Sequence, residues 1–324
     1  MLRQLFMFIT CSNCIFKFVG DYTKLPKVKE HDVDVAARER KIHSEDVDDE
    51  YNNPQLCAAM VRDIYNNLRA SEANAKKRPC TDYMQKVQKD ITINMREILI
   101  DWLVEVAEEF KLNSETLYLT VNYIDRYLSG NSINRERLQL LGVTCMMIAS
   151  KYEKRIGPLL VKKFCDVTVN TYSNDELRQM EYTVLDYLEF ELTVPTVRCF
   201  LGRFVCVAQA VTQAVPVELE CMSNYLAELS LLDYSMLGYA PSKIAASSIF
   251  LARYILLPSR RPWNSTLQHY TLYKPSELLE CVNALHRLCC DSVNSIVERY
   301  SNHKYMYVAE KYCPPTIPGE YFQD

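Results

Sequence analysis

Glycine is scarce in this chain: seven in 324 residues, with the two nearest, Gly130 and Gly142, twelve positions apart. A phosphate-cradling loop needs glycines clustered within a few positions, so that signature of nucleotide binding is excluded. Histidine is scarcer still. The five present (His31, His43, His269, His286, His303) never take HxxxH spacing, no GxSxG nucleophile turn occurs, and no acidic loop has calcium-ligand spacing. Of thirteen cysteines only Cys11 and Cys14 are spaced CxxC, without a second pair to complete a zinc site, so reduced intracellular thiols and no metal or cofactor are expected. An excess of positive charge is also lacking. Lys plus Arg number 37 against 41 Asp plus Glu, a net charge of −4, so nucleic acid is not expected as a partner.

Long apolar runs are missing as well. Between Arg3 and Lys17 lie 13 uncharged residues, whereas a membrane-spanning helix needs roughly 18 or more, and no membrane partner is expected. The apolar start (Leu5, Phe6, Phe8, Ile9, Ile15, Phe16) is interrupted from Thr10 to Asn13 and followed by no small-x-small cleavage site, which argues against a signal peptide.

What is abundant is core-forming material. Hydrophobic residues make up 48% of the chain, enough to bury the cores of about two domains. With little Gly and 13 Pro, long helices joined by short connections fit best, and an all-α protein is expected. Residues 1–52 read as a mobile tail, because positions 21–50 carry ten acids and six bases with little apolar periodicity. Order is expected from Asn53-Pro54, a cap and first-turn proline, followed by Leu56, Met60, Val61, Ile64 and Leu68 at helical spacing. That helix should end near Ser71, ahead of the basic cluster at Lys76, Lys77 and Arg78 and the helix-blocking Pro79, so that 53–92 forms an N-terminal helix and linker.

Beyond Ile93 the apolar period predicts five helices, at about 95–110, 115–129, 135–152, 159–167 and 174–188. Five more are predicted at about 196–211, 216–233, 241–256, 264–272 and 275–300, with breaks at Pro216, Pro241, Pro258, Pro262 and Pro275. The domains are accordingly 93–194 and 195–312, with 313–324 as a tail. A faint repeat relates them: Asn122-Tyr123 recurs as Asn224-Tyr225, and Ser150-Lys151-Tyr152 as Ala252-Arg253-Tyr254, both at an offset of 102. Both third helices are rich in small residues, Gly142, Thr144, Ala149 and Ser150 in one and Ala245, Ala246, Ser247, Ser248 and Ala252 in the other. Small side chains let neighbours approach closely, as a central helix wrapped by four others requires.

Catalytic constellations are not evident; an acidic pair such as Glu108-Glu109 reads as the solvated face of an amphipathic helix. A stripe on the first helix is more suggestive. Met95, Leu99, Leu103 and Val106 are spaced to face a core, while Met95, Leu99 and Trp102 share a stripe flanked by Asp101 and Glu105. A Trp and a Met beside carboxylates suit a groove for a Leu and an Arg of a partner peptide, and equally Trp102 could anchor the core. Lys151, in the last turn of a helix, reads on its own as a surface lysine favoured by the macrodipole.

The run Met95-Arg96-Glu97-Ile98-Leu99-Ile100-Asp101-Trp102-Leu103-Val104-Glu105-Val106 resembles the opening helix of a cyclin box. The likeness continues through Leu117 to Leu128, Leu138 to Gly142, Ile148 to Glu153 and Tyr225 to Tyr234, with His303-Lys304 also fitting. About 255 residues, from Asn53 to near Tyr307, are similar to A-type cyclins, most of all those of plants. The resemblance implies two consecutive five-helix cyclin folds and a non-catalytic role in cell-cycle progression: binding and activating a cyclin-dependent serine/threonine kinase and docking its substrates and inhibitors. It implies a nuclear location, with the cytoplasm as a second compartment. By residue, it implies a groove for Arg-x-Leu motifs at Met95, Ile98, Leu99, Trp102 and Gln139, with Asp101 and Glu105 facing the arginine. It implies a kinase interface centred on Lys151 and Glu181, with Tyr152 beside them and Leu185, Phe190 and Ile64 as apolar contacts.

The sequence departs from the family in three places. Where similar cyclins continue with a second Glu and a proline pair, this chain has Lys154-Arg155-Ile156-Gly157-Pro158-Leu159-Leu160, basic and one residue longer. The family's Arg-x-x-Leu degradation box is not found in the tail, since Arg96-Glu97-Ile98-Leu99 falls in the first helix of the domain. Residues 1–20 do not resemble the family's tail. Two other readings are weighed: a cyclin-fold transcription scaffold similar to general transcription factors, which would need a basic DNA-facing stripe, and an all-α enzyme with dispersed catalytic residues.

Overall fold

The computed structural model describes residues 58–153, 161–169, 171–211 and 216–324; helices joined by turns and short connections make up their secondary structure, with no strand among them. The tail at 1–52, the expected start at Asn53-Pro54 and the Lys154–Leu160 departure lie outside the described residues. Helix α1 is Ala58–Glu72 and the short α2 is Tyr83–Lys86. The first domain follows as α3 Ile93–Glu109, α4 Ser114–Leu128, α5 Leu138–Glu153, α6 Val161–Asp166 and α7 Asn174–Tyr187. The second is α8 Val197–Ala210, α9 Pro216–Leu232, α10 Pro241–Leu256, α11 Ser265–Thr271 and α12 Pro275–Asp291, trailed by α13 Ser295–Tyr300.

The helix expected over 275–300 is thus two helices. Ser292 turns to extended backbone, and the Asn294 side chain caps a fresh start by accepting from the Ile296 and Val297 amides. The internal offset does carry through to the elements, since α4 and α9 begin 102 positions apart at Ser114 and Pro216.

Each domain is organised around its third helix. In α5, Leu141, Val143, Thr144, Cys145, Met146, Met147 and Ala149 are fully buried, and the helix touches α3, α4, α6 and α7. Burying one such large apolar side chain contributes about 1.5–3 kcal/mol. At Gly142 the side chains of α3 come close: a Cβ there would lie 2.8 Å from a methyl of Leu99 and would push it aside. In α10, Ala245, Ala246, Ser247, Ser248 and Ala252 are fully buried, and the helix packs on α8, α9 and α12.

The domains are joined by polar contacts in a buried seam. Arg96 of α3 pairs with Asp125 of α4 and donates to the carbonyls of Leu231 and Leu232 at the end of α9. Arg299 of α13 pairs with Glu228 at 2.7 Å and donates to Val104 O at 3.2 Å. Helix α1 precedes the first domain in sequence yet docks on the second: Tyr65 donates to Thr271 O at 2.8 Å, the Ser242 hydroxyl donates to Glu72 at 2.7 Å, and Arg69 reaches Ser242 and Tyr273. Residues 313–324, read from sequence as a tail, lie along the second domain, with Phe322 stacked on Phe250 at 4.8 Å between ring centroids.

Candidate functional site

The last turn of α5 meets the middle of α7 at Lys151 and Glu181. The Lys151 ammonium donates to Glu181 Oε1 at 2.6 Å, and the pair is only part-covered, with side-chain exposures of 37% and 19%. Helix α7 is started firmly by a capping box, Ser173 accepting from the Glu176 amide while Glu176 accepts from the Ser173 amide. That fixes the height at which Glu181, two turns from the cap, faces Lys151. Next to Lys151, the Tyr152 hydroxyl shares a 2.7 Å hydrogen bond with Thr193, and burial raises its pKa.

Apolar groups flank this charged centre. Leu185, one turn beyond Glu181, is half-buried against the core, whereas Phe190 is 66% and Tyr182 65% exposed. Phe190 projects from a tight reversal after α7 in which it and Glu189 both adopt left-handed backbone, at φ 57° and 52°. Such backbone is costly for residues with a Cβ, and neighbouring contacts hold it. Tyr123 donates to Leu192 O and Arg126 to Glu191 O, both at 2.9 Å, while Lys76 pairs with Glu189 at 3.0 Å. The last contact ties the segment after α1 to this reversal; Ile64 itself is half-buried on α1. A part-exposed ion pair with apolar groups on the same face can exchange its internal partner for groups of another protein when that protein excludes water from it.

The second group of sequence-selected residues lies on α3 and α5. Helix α3 starts at Thr92, whose hydroxyl accepts from the Met95 amide. Its outer stripe carries Ile98, 60% exposed, between half-buried Met95 and Trp102, with Leu99 buried beneath and half-buried Gln139 on the neighbouring α5. Asp101 and Glu105 are both drawn to α13: Asp101 accepts from the Ser295 amide at 2.9 Å and Glu105 from the Ser295 hydroxyl at 3.0 Å. Asp101 therefore supports a helix start, and Glu105, which is exposed, is the acid better placed to meet an incoming cation.

Reading the sequence missed the residues that hold these two surfaces in register. Arg96 and Asp125 are both buried, although each sits in an apolar stripe, Arg96 with Ile100 and Leu103 and Asp125 with Val121 and Leu128. A charge inside such a stripe was the available signal. The burial of Arg96 also removes the Arg96-Glu97-Ile98-Leu99 letters from consideration as an accessible degradation motif. Glu115 was missed too; it is buried, and Thr196 at the cap of α8 donates to both its oxygens at 2.8 and 3.0 Å. Among the described residues no helix is long and apolar enough to cross a membrane.

These surfaces lie within regions shared with known proteins. The family "Cyclin, N-terminal domain" matches residues 63–193 and "Cyclin, C-terminal domain" residues 195–314. Cyclin-A1-3 of Oryza sativa subsp. japonica is 58% identical over 283 residues, covering 86% of this chain and 57% of that protein. Cyclin-A1-1 of Arabidopsis thaliana is 59% identical over 282 residues, covering 86% and 61%. The chain thus spans less than two thirds of the length of these curated relatives. In fold it is similar to a viral cyclin from herpesvirus saimiri, with a TM-score of 0.61 at 21% identity over 70% of this chain and 97% of that one. The two family matches together cover most of the chain, and at this level of identity to plant A-type cyclins the chain belongs to the cyclin family.

Proposed function

We propose that this chain is a non-catalytic cell-cycle subunit that binds and activates a cyclin-dependent serine/threonine kinase. The observation that carries the reading is the Lys151–Glu181 pair, made at 2.6 Å between the last turn of α5 and the middle of α7, with Tyr182 and Phe190 exposed on α7 and just after it. Kinase binding would re-partner these charges, with Tyr152, Leu185, Phe190 and Ile64 closing around them. Substrates and inhibitors bearing Arg-x-Leu would dock separately on the stripe of Met95, Ile98, Leu99, Trp102 and Gln139, their arginine meeting Glu105 and the flank of Asp101. The reading takes proteins as its partners, with neither nucleic acid nor membrane among them; the net charge of −4 supports the first of these exclusions. A nuclear location, with the cytoplasm as a second compartment, belongs to the same reading.

The test is co-expression with a cyclin-dependent kinase, followed by gel filtration and phosphorylation of a histone-type substrate. A co-eluting, active complex that is lost in Lys151→Ala and Glu181→Ala supports the reading. Unchanged kinase capture by both variants would sink the assignment of the interface.

A further inference from the structure

His286, Cys290 and Cys313 bring three metal-ligating atoms within 4.8 Å of one another, on elements that neither docking surface uses. His286 and Cys290 are spaced i, i+4, so one face of α12 presents both. Cys313 arrives from the segment beyond α13. That segment is held in place: His286 Nε2 donates to Pro314 O at 2.7 Å, the Tyr254 hydroxyl donates to Thr316 O at 2.8 Å, and Lys311 pairs with Glu218 at 2.6 Å.

We propose that His286, Cys290 and Cys313 bind a zinc ion that clamps the C-terminal segment onto the second domain. Two thiolates and an imidazole are the donors zinc prefers, whereas calcium and magnesium take oxygen ligands. With Zn–S near 2.3 Å and Zn–N near 2.0–2.1 Å, tetrahedral ligands sit roughly 3.5–3.8 Å apart. Cys290 Sγ is already 3.9 Å from His286 Nε2, and side-chain rotation suffices to draw in the remaining distance. His286 would exchange its hydrogen bond to Pro314 O for the metal. Cys290 is exposed, which gives the ion a path in and leaves room for water as the fourth ligand. The sequence conceals the set, because two members share a helix turn and the third lies beyond another helix, outside any CxxC spacing.

The experiment uses the full metal-free chain with a thiol-free reductant, titrated with Co²⁺ as a coloured probe and then with Zn²⁺. One Co²⁺ per chain is expected, with thiolate-to-cobalt charge transfer and the strong visible bands of a tetrahedral site, both erased by Zn²⁺. Losing an outer-shell partner of a metal site typically costs 10–100-fold in affinity, so Cys290→Ser and Cys313→Ser should each cost at least about tenfold, while Cys80→Ser changes nothing. Absence of the charge-transfer band, or its survival in both the Cys290→Ser and Cys313→Ser variants, overturns the site. Should either variant fail to fold, alkylation of the unsubstituted chain followed by mass spectrometry decides. Zinc is expected to slow modification of Cys290 and Cys313 by about tenfold or more, and equal rates with and without it would likewise refute the proposal.

Discussion

Arg96 grips Asp125 through two parallel hydrogen bonds of 2.7 Å, and both side chains are 1% exposed. Burial alone would lower the pKa of the guanidinium, but the Asp125 charge, the hydrogen bonds that Arg96 donates to Asp125 and the nearby Tyr83 raise it on balance. The same group donates to Leu231 O at 3.1 Å and Leu232 O at 2.9 Å, so one cation ties α3 and α4 to the last carbonyls of α9. Removing one partner of such a pair leaves a buried charge uncompensated. Asp125→Ala should therefore cost about 3–5 kcal/mol in urea unfolding of the full chain. Arg96→Met should cost as much or more, because it also strips the donors from two α9 carbonyls. A loss below about 1 kcal/mol for Asp125→Ala would show that water reaches this seam.

The Lys151–Glu181 pair should behave in the opposite way. Being part-exposed, it is worth at most about 1 kcal/mol to the isolated fold. In a complex that desolvates it, loss of either charge should cost about 2–5 kcal/mol, roughly thirty- to several-thousand-fold in affinity. Lys151→Ala is thus expected to melt within a few degrees of the unsubstituted chain while failing to capture a kinase. Calorimetry of binding beside thermal melting checks both halves.

Ile98 offers a cleaner probe of substrate docking than Trp102. Trp102 packs partly against the core, so its removal perturbs the fold as well. Ile98, 60% exposed, should tolerate Ile98→Ser within about 0.5 kcal/mol. Phosphorylation of a protein bearing Arg-x-Leu should fall several-fold with Ile98→Ser, while a short peptide lacking the motif is phosphorylated at the usual rate. Trp102→Ala should lower the first rate further, by about thirtyfold for a loss near 2 kcal/mol. Equal losses on both substrates would return the stripe to a purely structural role.

Glu115 gives the fold a pH dependence of unusual sign. Burial pushes its carboxyl up to about 7 from 4.5; the Thr196 hydroxyl opposes this, Glu153 adds to it, and Arg198 and the Cys199 thiol relieve it. The folded chain consequently holds this proton more tightly than the unfolded one, and its contribution to stability falls as pH rises from about 4.5 to about 7. At about 1.36 kcal/mol per pH unit, the full penalty is about 3 kcal/mol above that window. Glu115→Gln should gain on the unsubstituted chain by up to that amount at pH 8 and by little at pH 4. Urea unfolding of the two proteins at both pH values measures the difference.

Gly142→Ala should displace Leu99, which lies 2.8 Å from the added methyl. Overpacking of this kind commonly costs 1–3 kcal/mol. Because Leu99 lies beneath the stripe proposed for docking, Arg-x-Leu affinity should on that reading fall together with stability, and Gly142→Ala combined with Leu99→Val should restore part of both. Denaturant titration and peptide binding on the single and double variants test the coupling.

The parts of the fold that could be read in advance are those set locally. Proline breaks, apolar periods and the small residues of α5 and α10 marked the helices and their two centres, because each is a property of neighbouring positions. The break inside 275–300 was missed for the same reason. No Gly or Pro interrupts it, and Val293, although 96% exposed, continues an apolar pattern; the Asn294 cap was the only local cue. The candidate sites were legible mainly through resemblance. What stayed hidden depends on distant pairs, such as Asp101 with the Ser295 amide 194 positions away and Arg96 with Leu231 135 positions away. A single chain read in order cannot announce such meetings, although a charge in an apolar stripe hints that one exists.

The docking of α1 on the second domain sets a timetable for synthesis. Tyr65 is made early, but its acceptor Thr271 lies 206 residues further along. At about 5–20 residues per second, the ribosome needs roughly 10–40 s to deliver it. Throughout that interval α1 has been made and its docking surface has not, so its apolar face must wait for a partner or be covered by something else. A chaperone that shields α1 on the ribosome, and lets go once α11 emerges, would meet a need written into the order of these helices.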